Sequence, residues 1–222
     1  MNRLALFAAW MAGAMAAASA QSLPAQAPSL QTATQNSWTF RVLLDGREIG
    51  SHRFTLSAVD AKQRELRSVA RFDVTVLRLP VYRYRHEAVE SWEGGCLQQL
   101  VSHTETNGQR EQVRAQASGD RLVVEAGGAR REHGGCVMSF AYWDPRILRA
   151  ERLLNSQTGE LVPVTISAGG EETLTVHGES RLAQRHRISG PGLRIDLWYA
   201  GDQWVALEAE AEGGRRLRYE RT

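Results

Sequence analysis

Lysine is all but missing from these 222 residues: Lys62 stands alone, and arginine supplies the remaining positive charge. The 27 basic side chains face 25 acidic ones, for a formal net charge of +2. So even a balance lacks the concentrated positive surface a nucleic-acid partner requires, and none is expected. The six histidines (His52, His86, His103, His133, His177 and His186) and the two cysteines show no metal-ligand spacing, so no zinc or other metal site is expected. There is no G-x-S-x-G elbow, no H-E-x-x-H, no glycine-rich phosphate loop and no calcium loop. No cofactor is implied. After residue 20 there is no apolar run long enough to span a bilayer, which leaves no stable membrane anchor.

What is present starts at the N-terminus. Arg3 precedes the apolar run Leu4–Ala18, and Ala18-Ser19-Ala20 offers small residues at a cleavage position. Residues 1–20 therefore read as a signal peptide cut near Ala20/Gln21, which places the mature chain in the periplasm or outside the cell. No cysteine follows the cut, so no lipid acceptor is available there. In an oxidising compartment the simplest fate of Cys96 and Cys136 is one disulfide. A bridge closing about 40 residues stabilises by about 4 kcal/mol in the chain-entropy account. A redox pair would favour C-x-x-C spacing instead.

Residues 21–36 are rich in Ser, Gln, Ala, Thr and Pro and read as a disordered leader to a single β-rich domain over 37–222. Trp38, Phe40, Val42 and Leu44 alternate with polar neighbours, the period of a half-buried strand. Asp45-Gly46 and Asn107-Gly108 are hairpin turns. Glycine pairs punctuate further strands, among them Gly127-Gly128, Gly169-Gly170 and Gly213-Gly214. Both cysteines close Gly-Gly-Cys triplets and are expected at strand starts. Asp144-Pro145 fits a helix start, with Ile147, Leu148, Glu151 and Leu154 at helical spacing, so one short helix is expected near 145–154. About a dozen short strands then predict an all-β fold, a long antiparallel meander curled into a barrel or half-barrel.

Several stretches could carry function, among them Asn155-Ser156-Gln157-Thr158-Gly159, whose side chains either present a polar cluster or simply terminate the helix. Alternation along Val81–Glu93 puts Tyr82, Tyr84, His86, Ala88, Glu90 and Trp92 on one face. Such a face either lines a cavity, with rings gripping an apolar ligand, or is simply core. His86 and Glu90 are about 14 Å apart along the strand, too far for a direct dyad. Tyr142 and Trp143, within Ser139–Pro145, are either packing anchors or part of a pocket lid. The candidate ligand-binding set is thus Tyr82, Tyr84, His86, Glu90, Trp92, Tyr142 and Trp143, with no catalytic residue named. Arg215-Arg216-Leu217-Arg218 reads either as an alternating strand with an exposed arginine face or as a headgroup site.

The chain resembles an uncharacterised family of secreted bacterial proteins, domain-of-unknown-function family 6134. The resemblance is carried by Leu43-Leu44-Asp45-Gly46, Ile49-Gly50, His52-Arg53-Phe54, Glu90, Trp92 and Cys96-Leu97. It continues through Cys136–Trp143, Pro145, Leu153-Leu154-Asn155, Gln157–Glu160, Leu197-Trp198-Tyr199, Trp204 and Leu217-Arg218-Tyr219. The family implies no activity and no catalytic residues. A more distant likeness to periplasmic curved-sheet lipoprotein carriers would suit a concave apolar face. The expectation is a non-enzymatic binding or carrier protein for a lipid or other apolar small molecule, its protein partners unknown. The alternatives are a structural or interaction protein of the cell envelope with a solid core, and a hydrolase or isomerase using His86 or Glu90.

Overall fold

The computed structural model describes residues 35–77 and 79–222. The expected signal peptide and all but the end of the expected disordered leader lie outside the described residues. The first eight strands are β1 (Gln35–Leu44), β2 (Arg47–Ala58), β3 (Gln63–Val76), β4 (Leu79–Glu93), β5 (Cys96–Thr106), β6 (Gln109–Ser118), β7 (Arg121–Ala126) and β8 (Ala129–Gly134). β1 begins at Gln35, so residues 35 and 36 of the expected leader are already strand. Three short strands follow, β9 (Met138–Ser139), β10 (Arg152–Leu154) and β11 (Leu161–Pro163). The last five are β12 (Thr165–Val176), β13 (Glu179–Gly190), β14 (Leu193–Ala200), β15 (Gln203–Ala211) and β16 (Arg215–Arg221).

Thirteen of these strands form one antiparallel sheet in the order β12-β13-β14-β15-β16-β1-β2-β3-β4-β5-β6-β7-β8. Each strand pairs with its neighbour in sequence except at one place, where the last strand, β16, joins the first, β1. Among the described residues β8 and β12 do not pair, so the sheet is an open, curled meander rather than a closed barrel. Laid flat, thirteen strands would span about 60 Å. Curling gathers their inner residues into one core, from Leu122 and Val124 on β7 to Ile188, Ile195 and Leu197 on β13 and β14.

The stretch between β8 and β12 lies inside the curl and ties its two ends together. Ala141, Ile147, Leu153 and Leu154 are buried there. Gly159 approaches Val113, Ala126 and Val124 of β6 and β7 so closely that a Cβ would overlap them. At the other end Gly190 of β13 sits against the Pro163 carbonyl in the same way. The segment is pinned between: Leu97 N donates to Val137 O, Tyr199 Oη to Tyr142 O, and Cys96 is disulfide-bonded to Cys136. The disulfide is consistent with an oxidising, extracytoplasmic location.

Several expectations are corrected. No helix spans 145–154. A single 3-10 turn covers Pro145–Arg149, with the Asp144 side chain accepting from Arg146 N, and Ala150 is already extended. Leu153 and Leu154 are consecutive and both buried, which a strand achieves when both its faces are covered. β10 meets that condition, pairing in parallel with β9 and antiparallel with β11. Gly169-Gly170 is an irregularity within the single strand β12, not a turn between two. Cys96 does open β5, but Cys136 lies between β8 and β9 rather than at a strand start.

Candidate functional site

Register across β2–β5 builds the site. His52 stands opposite Ala70, Ala70 opposite His86, and His86 opposite Thr104. The next inward row runs Phe54, Ser68, Ala88, Ser102. Small residues at the middle of both rows cannot reach the segment packed inside the curl. The result is a hollow of about 240 Å³, walled by Phe140, Tyr142 and Ser156 on one side and His52, His86 and Glu90 on the other.

At the end of the sheet this hollow meets a second, of about 480 Å³, and the two share Tyr84, Gln157, Leu217 and Tyr219. The outer one is apolar, with Leu44, Ile49, Phe72 and Val74 along its wall. The ends of three hairpins, β1–β2, β3–β4 and β15–β16, ring its mouth. The β3–β4 tip carries exposed Leu77 and Leu79.

The inner hollow holds an unusual density of buried polar groups. His52 Nε2 lies 2.7 Å from Ser68 Oγ, and its Nδ1 lies 3.2 Å from Tyr219 Oη. His86 Nδ1 is 2.9 Å from Thr104 Oγ1, while its Nε2 has only Ser156 Oγ, at 3.5 Å. Glu90 is 5% exposed, and its Oε2 accepts from Trp92 Nε1 at 3.1 Å and Ser139 Oγ at 3.0 Å. Its Oε1 has no partner among the described residues.

Burial sets the protonation of these groups. Desolvation pushes Glu90 up to about 7, against smaller opposing pulls from the Ser139 and Trp92 hydrogen bonds. It pushes His86 down to about 4 and His52 well below the usual histidine range, with the nearby His86 adding to the second shift. Tyr84, Tyr142 and Tyr219 are all pushed up by burial, so they stay neutral phenols. Near neutral pH both imidazoles are therefore uncharged and Glu90 sits at its midpoint. Ser68 pairs with His52, and no carboxylate hydrogen-bonds to either ring among the described residues. Such an arrangement can orient a polar group by hydrogen bonds and surround an apolar one with rings.

Of the residues singled out by sequence, Tyr84, His86, Glu90 and Tyr142 line the inner hollow. Tyr82, 37% exposed, stands at the mouth. Trp92 and Trp143 do not join them: they meet edge to face at 5.7 Å and flank a separate surface hollow with Lys62, Arg64 and Arg146. The C-terminal arginines form the alternating strand, with Arg215 paired to Asp45 and Arg218 to Glu208 and Glu220. Sequence reasoning missed His52, Ser68 and Tyr219 as site residues, while Ser156 comes from the stretch Asn155–Gly159 read as a possible polar cluster. The period-two pattern of β2, which turns His52, Phe54 and Leu56 inward together, was the available signal. A further hollow, about 690 Å³ over β6–β8, is lined by exposed Arg110, Arg114, Arg130 and Arg131 with Glu111 and Glu125.

A curled antiparallel sheet wrapped around an inserted segment, hollow at its centre, places the molecule among β-barrel-like proteins. A crystal structure of a β-barrel-like protein of the domain of unknown function DUF1849 from Brucella abortus is similar, with a TM-score of 0.64 at 12% identity. The match covers 84% of this chain and 94% of that one, and at this identity it speaks for the fold alone. The model of a domain of unknown function, DUF6134, matches residues 40–222, and the chain belongs to that family. No curated protein matches it.

Proposed function

We propose that this protein is a non-enzymatic binding or carrier protein for an apolar or amphipathic, lipid-like small molecule. The observation that carries this reading is the pair of adjoining hollows, an apolar mouth of about 480 Å³ leading to an inner hollow of about 240 Å³ with placed polar groups. That combination suits a ligand gripped by shape and oriented by a few hydrogen bonds. The solid interior that a purely structural role predicts is at odds with it. Tyr84, His86, Glu90 and Tyr142 are the proposed contacts, with Tyr82 at the entrance. The disulfide and the N-terminal sequence (Arg3, Leu4–Ala18, Ala20) support a periplasmic or secreted setting, where the purified chain would begin at Gln21.

The test is uptake of N-phenyl-1-naphthylamine, an uncharged dye that brightens in apolar surroundings. The protein should enhance its fluorescence saturably, and Ala88→Leu, which fills the inner hollow, should weaken uptake at least tenfold. Circular dichroism and a urea melt establish that the variant is folded. An absence of enhancement with the unmodified protein, or equal uptake by the folded variant, would count against the proposal.

A further inference from the structure

The two hollows differ in charge as well as polarity. The inner one is walled by His52, Ser68, His86, Glu90, Ser139 and Ser156 among apolar side chains, and neither arginine nor lysine lines it. The outer one is mainly apolar, with Gln157 where it meets the inner one and the charged Glu212 and Arg215 also along its lining. Arg215 is engaged already, its Nε donating to Asp45 Oδ2 at 2.8 Å. A fixed negative charge carried to the inner end would lose its hydration without gaining a counter-ion, and a cation would gain one only where Glu90 is ionised. An uncharged oxygen-bearing group meets different terms, because a hydrogen bond there offsets its desolvation.

The hydrogen-bonding positions for such a group are specific. Glu90 is 5% exposed, and both of its protein bonds fall on Oε2, which leaves Oε1 for the hollow the side chain lines. His86, 4% exposed, has a satisfied Nδ1 and a loosely held Nε2, 3.5 Å from Ser156 Oγ. The burial that keeps His86 and His52 neutral and holds Glu90 near its midpoint points the same way. The serine hydroxyl can turn to donate or accept.

We propose that the ligand is an amphiphile whose polar end is uncharged and bears hydroxyl or carbonyl oxygens. It sits head-inward, that end at His86 and Ser156 and facing the side of the hollow that Glu90 lines, with its hydrocarbon running out past Phe72, Val74 and Leu217. This rests on the binding function proposed above and adds the headgroup and the orientation. His86 Nε2 and Ser156 Oγ lie 3.5 Å apart, so a head with two or more oxygens can engage both.

The experiment is calorimetric titration of the purified chain beginning at Gln21 with four ten-carbon amphiphiles below their aggregation thresholds: glyceryl monodecanoate, 1-decanol, decanoate and decyltrimethylammonium. Glyceryl monodecanoate should bind at least about tenfold more tightly than decanoate at mildly alkaline pH, and than the ammonium at pH 6, where Glu90 is mostly protonated. 1-Decanol, with one oxygen, should fall between. Ser156→Ala, in a connection between two short strands, should weaken glyceryl monodecanoate two- to tenfold and leave decanoate unchanged. Decanoate or the ammonium binding as tightly as the glyceride under those conditions would overturn the headgroup assignment and leave the binding function standing. If none of the four binds and the dye is not taken up, both fall.

Discussion

Glu90→Gln keeps the shape of the side chain and an oxygen acceptor for Trp92 and Ser139 while removing the ionisable proton. In the folded protein that proton is held to about 7, against an ordinary value of 4.5, because burial penalises the carboxylate. Between those values the unfolded chain has released the proton and the folded chain still holds it. Stability therefore falls as pH rises through this window and is level above it. The span of about 2.5 units corresponds to about 3 kcal/mol. The buried imidazoles work in the opposite direction. His86 titrates at about 4 when folded and 6.5 when free, so its contribution grows as pH rises between those values. The pH profile of the unmodified protein alone would thus conceal both. The difference between the protein and its variant isolates Glu90, because the histidine contributions are common to the two. In urea unfolding, Glu90→Gln should be more stable by under about 1 kcal/mol at pH 5 and by about 3 kcal/mol at pH 8. A difference that is the same at both pH values, or a variant weaker at pH 8, would refute the account of Glu90 as a desolvated acid.

Three further changes test the frame around the site. Replacing Cys96 and Cys136 together by serine opens a loop of sequence separation 40. It should cost about 4 kcal/mol in urea unfolding, and an unchanged midpoint would deny the bridge a stabilising role. Gly50 has φ +149°, and a Cβ there would fall 1.9 Å from the Arg71 carbonyl oxygen. Gly50→Ala should lower stability by more than about 2 kcal/mol, read as a drop in the midpoint of thermal unfolding. Asp144, buried, caps the 3-10 turn through Arg146 N and binds Arg146 Nε at 2.9 Å. With the arginine half exposed, Asp144→Ala should cost about 1–2 kcal/mol in the same melt.

The strands were legible because most have one face on the core and one in water, which writes itself as alternation. Asp45-Gly46 and Asn107-Gly108 turn with both residues at positive φ, as a two-residue hairpin requires. The same alternation turned Tyr84, His86 and Glu90 inward. Other features depend on contacts that a single strand's pattern does not contain. His52 reaches the site only through the register of β2 on β3 and β3 on β4. The hollow itself reflects small side chains at Ser68, Ala70 and Ala88, unremarkable one at a time. Leu153-Leu154 at helical spacing from Ile147 misled because a strand covered on both faces loses the period of two. Trp92 has the parity of a lining residue, but it meets Trp143 at the far end of its strand, beyond the reach of the hollow.

The pairing of β1 with β16 has a consequence in time. Phe40 and Arg221 are register partners, yet nearly the whole chain lies between them. β2 through β8 can pair in order as the chain emerges N-terminus first, each on the strand just before it. β1 meanwhile keeps one edge bare until the last seven residues of strand have appeared. The mouth of the apolar hollow, which needs Leu217 and Tyr219 from that strand, is therefore among the last parts to be completed. A nascent or C-terminally shortened chain would carry an unpaired β-edge beside an unfinished apolar wall, and that juncture is where a chaperone would have reason to attend.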